Sequence, residues 1–264
     1  MWHNLGQLIR YRGLIQSLVA RELKARYRGS ALGFFWSFVN PLLMLGIYSF
    51  IFGTILPNKD PKTVPYAIFM FCGILPWTWF SSSLLDATGS LISGGNLIKK
   101  VLFPAEVLPI VSVLANMVHF FLGLPILAGY MIWYRHFPDP IGLLWLPVVM
   151  LIQLIFTIGL GLGLSALTVH FRDVRDLLSN LINFWFFCTP IIYPYYMESV
   201  QKYLPILKLN PFYHLVVPYQ EILFFHGPFG HERSLMIMAA ASLATFAAGY
   251  WLFDRLRDSF AEAI

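Results

Sequence analysis

The strongest constraint in this sequence is a series of apolar runs, each long enough to cross a lipid bilayer, separated by short charged or Pro- and Gly-rich connections. Bilayer hydrocarbon takes helices of about 20 apolar residues. Six stretches qualify, at 32–56, 64–88, 107–133, 141–168, 177–197 and 234–253. Of 264 residues 58% are hydrophobic and 12% charged, against about 25% charged in a soluble domain, so a water-soluble fold could not hide the apolar surface. The expectation is an all-α integral membrane protein with a single transmembrane domain over 1–264. It comprises an amphipathic interface helix and loop at 4–28, a six-span region at 32–253 and a tail at 254–264.

An even number of spans puts both ends on one side, and cytoplasmic segments carry the excess of Lys and Arg. Arg10, Arg12, Arg21, Lys24, Arg26, Arg28, Lys99, Lys100, Arg172, Arg175, Arg255 and Arg257 fall on the side of the termini, twelve of the 18 basic residues. Both termini are therefore expected in the cytoplasm. The basic first 30 residues lack an apolar core followed by a small-residue cleavage site, so no cleaved signal peptide is expected.

Residues 203–225 are apolar enough to suggest a seventh span. Lys208, Asn210, Pro211, His214, Pro218 and Glu221 interrupt them, at a high cost in hydrocarbon. Short re-entrant or interfacial helices between spans five and six, broken at Pro205, Pro211 and Pro218, fit better. At the other end of the chain, Arg10, Ser17, Arg21, Lys24 and Arg28 share one face of a helix at about 100° per residue. Leu5, Leu8, Ile9, Ile15, Val19 and Leu23 take the opposite face, which predicts an amphipathic helix on the inner membrane surface, as an anchor or as a platform for a cytoplasmic partner.

Cys72 and Cys188 each sit in an apolar run and read as small buried hydrophobes. His214, His226 and His231 match no zinc spacing, so no metal is expected. Gly159-Leu-Gly-Leu-Gly163 has no preceding strand and predicts close helix packing, not nucleotide binding. Asp86 and Glu106 lie near the inner boundary, where Lys99 or Lys100 could pair with them; His119 lies deeper, and one histidine makes no proton relay.

Several short motifs then carry a family resemblance. Arg21-Glu-Leu-Lys-Ala-Arg-Tyr-Arg-Gly-Ser-Ala-Leu-Gly-Phe-Phe-Trp36 precedes the first span, Asn96-Leu-Ile-Lys-Lys-Val-Leu-Phe-Pro104 follows the second, and His170-Phe-Arg-Asp-Val-Arg-Asp176 follows the fourth. Thr189-Pro-Ile-Ile-Tyr193 and Leu209-Asn-Pro211 come later. In order and spacing the chain resembles membrane subunits of type-2 ABC exporters for O-antigen, capsule and teichoic acid, most closely those for O-antigen. The resemblance implies a homodimeric pore in the bacterial inner membrane, driven by two separate ATPase subunits that bind ATP and Mg. This chain itself has no Gly-Lys dipeptide and hence no P-loop, so no cofactor is expected in it. Nucleic acid is not among the expected partners; membrane lipids are.

By that resemblance the helix at 4–20, residues 91–104 and residues 170–176 face the ATPase, with Arg10, Arg21, Asn96, Phe103, Arg172, Asp173 and Arg175 as candidate contacts. A polymer on a polyprenyl pyrophosphate presents a hydrocarbon tail, a charged headgroup and hydrated sugars. The headgroup calls for basic residues at the inner interface: Arg26, Arg28, Lys99 and Lys100, with Leu32-Gly33 allowing close backbone approach. Sugars call for aromatic faces, and Phe34, Trp36, Phe38, Trp185, Tyr193 and Tyr196 are candidate channel-lining residues, set against their ordinary role as interfacial belt residues. The alternative is a membrane-embedded transferase acting on a lipid-linked glycan, which would need convergent acids, bases or metal ligands; the acids here are scattered. A secondary transporter is disfavoured by the sparse ionisable residues and by the lack of a repeated half.

Overall fold

A computed structural model gives the fold and describes residues 11–55, 60–95, 104–225 and 229–260. Every regular element within these is a helix. Helix α1 (Arg12–Arg26) stops three residues before Gly29, whose φ of +82° is a left-handed conformation open to a residue without a Cβ. Gly33, at φ +50°, turns the chain into α2 (Trp36–Phe50), which a short turn before it and a wide turn after it extend to Gly33–Ile55. Then come α3 (Tyr66–Ser93), α4 (Val107–Trp133), α5 (Leu146–His170) and α6 (Val174–Phe187). Two single turns, α7 (Glu198–Gln201) and α8 (Leu204–Leu207), lead to α9 (Tyr213–Leu223) and α10 (Glu232–Leu256).

Five helices are long and apolar enough to cross a membrane: Gly33–Ile55, Tyr66–Ser93, Val107–Trp133, Gly142–His170 and Glu232–Ser259. Each answers to one of the six expected stretches, with the ends moved by a few residues. The stretch expected at 177–197 differs. Helix α6 has 14 residues, roughly 21 Å at about 1.5 Å per residue, short of hydrocarbon about 30 Å thick. Pro190 and Pro194 have no N–H to extend the ladder, and the chain continues as a turn.

The short helices that follow also differ from expectation in one respect. Pro205 stands in the first turn of α8 and Pro211 between α8 and α9, but Pro218 lies inside α9 and does not break it. Pro218 stands at the sixth of the eleven residues and removes one ladder bond, while the bonds on either side of it keep the helix continuous. Helix α9 starts beside the middle of α3, with Phe212 4.5 Å from Phe80 and 5.0 Å from Trp77 between ring centres. It ends beside the start of α3, where Phe224 lies 5.5 Å from Phe69. At 11 residues it is too short to cross, and it is buried except along the face that carries His214 and Glu221, which are partly exposed.

Helix α3 is the centre of the core, packed by α4, α5 and α9. The closest seam joins α5 to α10. A Cβ on Gly159 would lie 2.6 Å from the Phe246 backbone, and one on Gly249 1.9 Å from the Gly159 carbonyl oxygen. Gly161 faces the other way, toward Ala87 of α3. The glycine run is thus a packing device on both faces of α5.

Candidate functional site

One end of the bundle gathers charge. Leu18, with Ile15 and Val19 beside it, packs on Val107 and Val111 at the start of α4, and this seats α1 across the bundle end. Arg26, at the last turn of α1, is thereby brought to Asp86 on α3. Its Nη2 lies 2.5 Å from the Asp86 carboxylate, and its Nη1 donates to Asn116 Oδ1 at 2.9 Å. Asn116 Nδ2 in turn donates to the same carboxylate at 2.8 Å, closing a triangle across three helices. Glu106, nearly fully buried, receives Arg257 at 2.5 Å. Sequence reasoning looked to Lys99 or Lys100 for these two carboxylates. Those lysines lie outside the described residues; Arg26 and Arg257 reach the two carboxylates because helix contacts bring together residues 60 and 151 positions apart.

Above the triangle a cavity of about 530 Å³ opens between α2 and the α3–α4 pair. Arg26, Asn116 and His119 form its polar end; Leu43, Met44, Ile47, Phe71 and Leu75 form an apolar wall. Trp36 lines it and donates its indole N–H to Ser30 Oγ at 3.0 Å. Asn40 faces it as well. Phe34 and Phe38, four residues apart, share a face, with ring centres 6.3 Å apart, and Phe34 meets Tyr27 edge-on at 6.0 Å. Phe34 is exposed, as are Arg28 and Leu32. Gly33 needs its glycine for the turn itself, since its φ is positive.

A second cavity of about 340 Å³ at the same end is mainly polar. Arg21 of α1, Arg175 of α6 and Asp86 of α3 border it together with Ser90 and Ser93. Two candidate contact residues from distant segments, Arg21 and Arg175, therefore share one rim. Arg172 and Asp173 are exposed on the adjoining connection. Arg10, Asn96, Lys99, Lys100 and Phe103 lie outside the described residues.

The remaining aromatic candidates are held by specific bonds. Trp185 packs edge-on against Phe80 at 5.3 Å and donates to Asn210 Oδ1 at 2.7 Å. Tyr193 donates to the Phe187 carbonyl at 3.0 Å and borders a shallow apolar groove with Phe187 and Tyr203. Tyr196 donates to Asp60 at 2.8 Å, with Lys62 over its ring.

Sequence reasoning missed the amide side chains that support these groups. Asn210 uses all of its hydrogen-bonding directions: Nδ2 donates to the Cys188 carbonyl and to Thr189 Oγ1, and Oδ1 accepts from Trp185 and from the Phe212 N–H. Gln220 donates to the Pro190 carbonyl at 3.0 Å, and Gln153 to the Pro76 carbonyl at 2.8 Å. Polar residues inside apolar runs were the available signal. Among the described residues no group of His, Cys, Asp and Glu side chains could hold a metal ion.

Comparison with known proteins places these features. The family model described as "ABC-2 type transporter" matches residues 13–224. The chain is 41% identical over 261 residues to the O-antigen export system permease protein RfbA of Myxococcus xanthus, covering 98% of each. It is 32% identical to the RfbA protein of Klebsiella pneumoniae, over all of this chain and 98% of that one. It is 23% identical to the polysialic acid transport protein KpsM of Escherichia coli, over 90% of this chain and 92% of that one.

Proposed function

Because this chain belongs to the ABC-2 type transporter family, we propose that it is the transmembrane permease subunit of an ATP-driven exporter of lipid-linked polysaccharide of the O-antigen kind. The observation that carries this is its similarity, over nearly its full length, to proteins named as O-antigen export permeases. It is a transport subunit and not an enzyme, and the transferase alternative is not favoured. ATP, with Mg, is bound and hydrolysed by a separate ATPase subunit.

In this reading two copies of the chain form the pore in the bacterial inner membrane with two ATPase subunits. There are six spans, the fifth made of α6 and the turn after it, and both termini are cytoplasmic. The basic bundle end then faces the ATPase. Helices α7 to α9 dip from the outer side to mid-depth and return, in keeping with the ring contacts of Phe212 and Phe224. Arg28, Leu32 and Gly33, joined by Lys99 and Lys100, meet the pyrophosphate headgroup, while Arg26 mainly anchors α1, since Asp86 and Asn116 already occupy it. Arg21 and Arg175 form one ATPase contact from their shared rim, with Arg10, Asn96, Phe103, Arg172 and Asp173 around it.

The test is co-purification with the ATP-binding-cassette ATPase, followed by assay of ATP hydrolysis and of glycan reaching the far side of proteoliposomes. Hydrolysis and transport should both require the two proteins together. Transport of glycan by this chain without nucleotide would overturn the reading.

A further inference from the structure

The charge-counting rule treats Arg255 and Arg257 alike, and the structure separates them. Arg255 lies over the exposed ring of Trp251, with its guanidinium 5.4 Å from the ring centre. Arg257 turns inward and reaches the buried carboxylate of Glu106. Glu106 immediately precedes α4 and so closes the segment that leads out of α3. Two residues past Arg257, Ser259 Oγ lies 2.9 Å from Nε2 of His170, the last residue of α5. Phe260, 1% exposed, packs on Phe253 at 5.1 Å between ring centres and joins one apolar cluster with Ala105, Leu108, Ala166 and Val169.

The turn after α10 thus holds the start of α4 with one side chain, the end of α5 with another, and fills the space between them with a third. A positive charge near the membrane surface needs none of this, since any exposed arginine would supply it. A carboxylate as buried as Glu106 does need a specific cation, because an unpaired buried charge is strongly destabilising.

We propose that the turn 257–260 is a clasp that locks the segment before α4 to the segment after α5, so that the two ATPase-facing connections move as one body. The proposal rests on the permease reading, in which residues 91–104 and 170–176 receive the stroke of the ATPase. Coupling between distant sites travels through elements rigid enough to transmit displacement. With the clasp open each connection yields separately, and hydrolysis proceeds without moving polymer. Arg257, Glu106, Ser259 and Phe260 are positioning residues; none touches substrate in this account.

The experiment uses the full permease–ATPase complex in proteoliposomes with a polyprenyl-pyrophosphate-linked oligosaccharide extracted from the host membrane, and reads glycan moved per ATP hydrolysed. Glu106→Gln combined with Arg257→Gln removes both charges, so that no unpaired carboxylate is left to unfold the chain. The ratio should fall about fivefold while the ATPase still co-purifies. Arg257→Lys should recover part of it. Arg255→Gln, which loses the same charge from the same helix end, should leave it unchanged. An unchanged ratio in the double variant overturns the clasp, and so does an equal loss of ratio in Arg255→Gln. If the unaltered chain neither binds the ATPase nor moves glycan, the permease reading itself fails and the clasp falls with it.

Discussion

The third helix and the first span are both apolar enough for a bilayer, yet they live in opposite surroundings. In α3, 78% of the most apolar stretch is buried within the chain; in Gly33–Ile55 the figure is 6%. The α5–α10 seam resembles the former, with glycines at a separation that excludes even a methyl group. Around Gly46 in the first span, nothing lies within 4 Å of where a Cβ would be. Lipid can cover an apolar helix face without penalty, so low burial alone does not call for a partner. Asn40 changes the account: an amide within this candidate span, exposed on the side of the large cavity, calls for a hydrogen-bonding environment that acyl chains lack. The packed helices are a frame, and the first span is the side of the molecule left to meet something other than its own chain.

Five variants can break or sharpen that contrast. Gly249→Leu should have the largest effect, because the added atoms meet backbone and the helices must separate; a loss of at least about 3 kcal/mol, seen as little folded protein in detergent, is expected. Gly46→Leu is its counterpart and should shift thermal stability by less than about 0.5 kcal/mol. Collapse of the Gly46 variant as a single chain would show that the first span is packed after all. Next, Asn210→Leu strands the Trp185 indole, the Cys188 carbonyl and the Phe212 N–H, and should cost about 2–4 kcal/mol in detergent unfolding, at one to a few kcal/mol for each stranded group.

Arg26→Gln comes third. Its pair with Asp86 is partly exposed, so about 1 kcal/mol is expected, together with loosening of α1 measured as faster proteolysis near Tyr27. The smallest change in stability belongs to Phe34→Ala with Phe38→Ala, within about 0.5 kcal/mol. In the proposed reading, where these rings line the channel and the motor contacts lie elsewhere, glycan export per ATP should nevertheless fall in this double variant. Equal decline of hydrolysis and export would place that face against protein or lipid instead.

Span positions were legible because bilayer thickness imposes a length and apolarity that one sequence displays directly. The helix at 107–133 was read to the residue. Glycine spacing in α5 was equally readable, since close packing leaves few alternatives for Gly at every second position in an apolar helix. The shared face of Phe34 and Phe38 followed from helical periodicity. What escaped were relations between segments. That Asp86 meets Arg26, and Glu106 meets Arg257, depends on which helices lie side by side, and hydropathy is silent on that. The early end of α6 escaped for a related reason: residues 188–197 remain apolar enough to prolong the run, and only the prolines and the amides from α9 and the preceding loop make a turn there possible.

Those amides have a consequence for how the chain could conduct a hydrated polymer. In the six-span reading proposed above this turn lies inside hydrocarbon, where backbone carbonyls lose the water that would satisfy them, and Asn210 and Gln220 cap those of Cys188 and Pro190. The segment carries its own solvent, built from side chains and fixed in place. It can therefore border either a wet passage or a dry one without its shape changing, so filling and emptying of the passage would not require this turn to refold at every cycle.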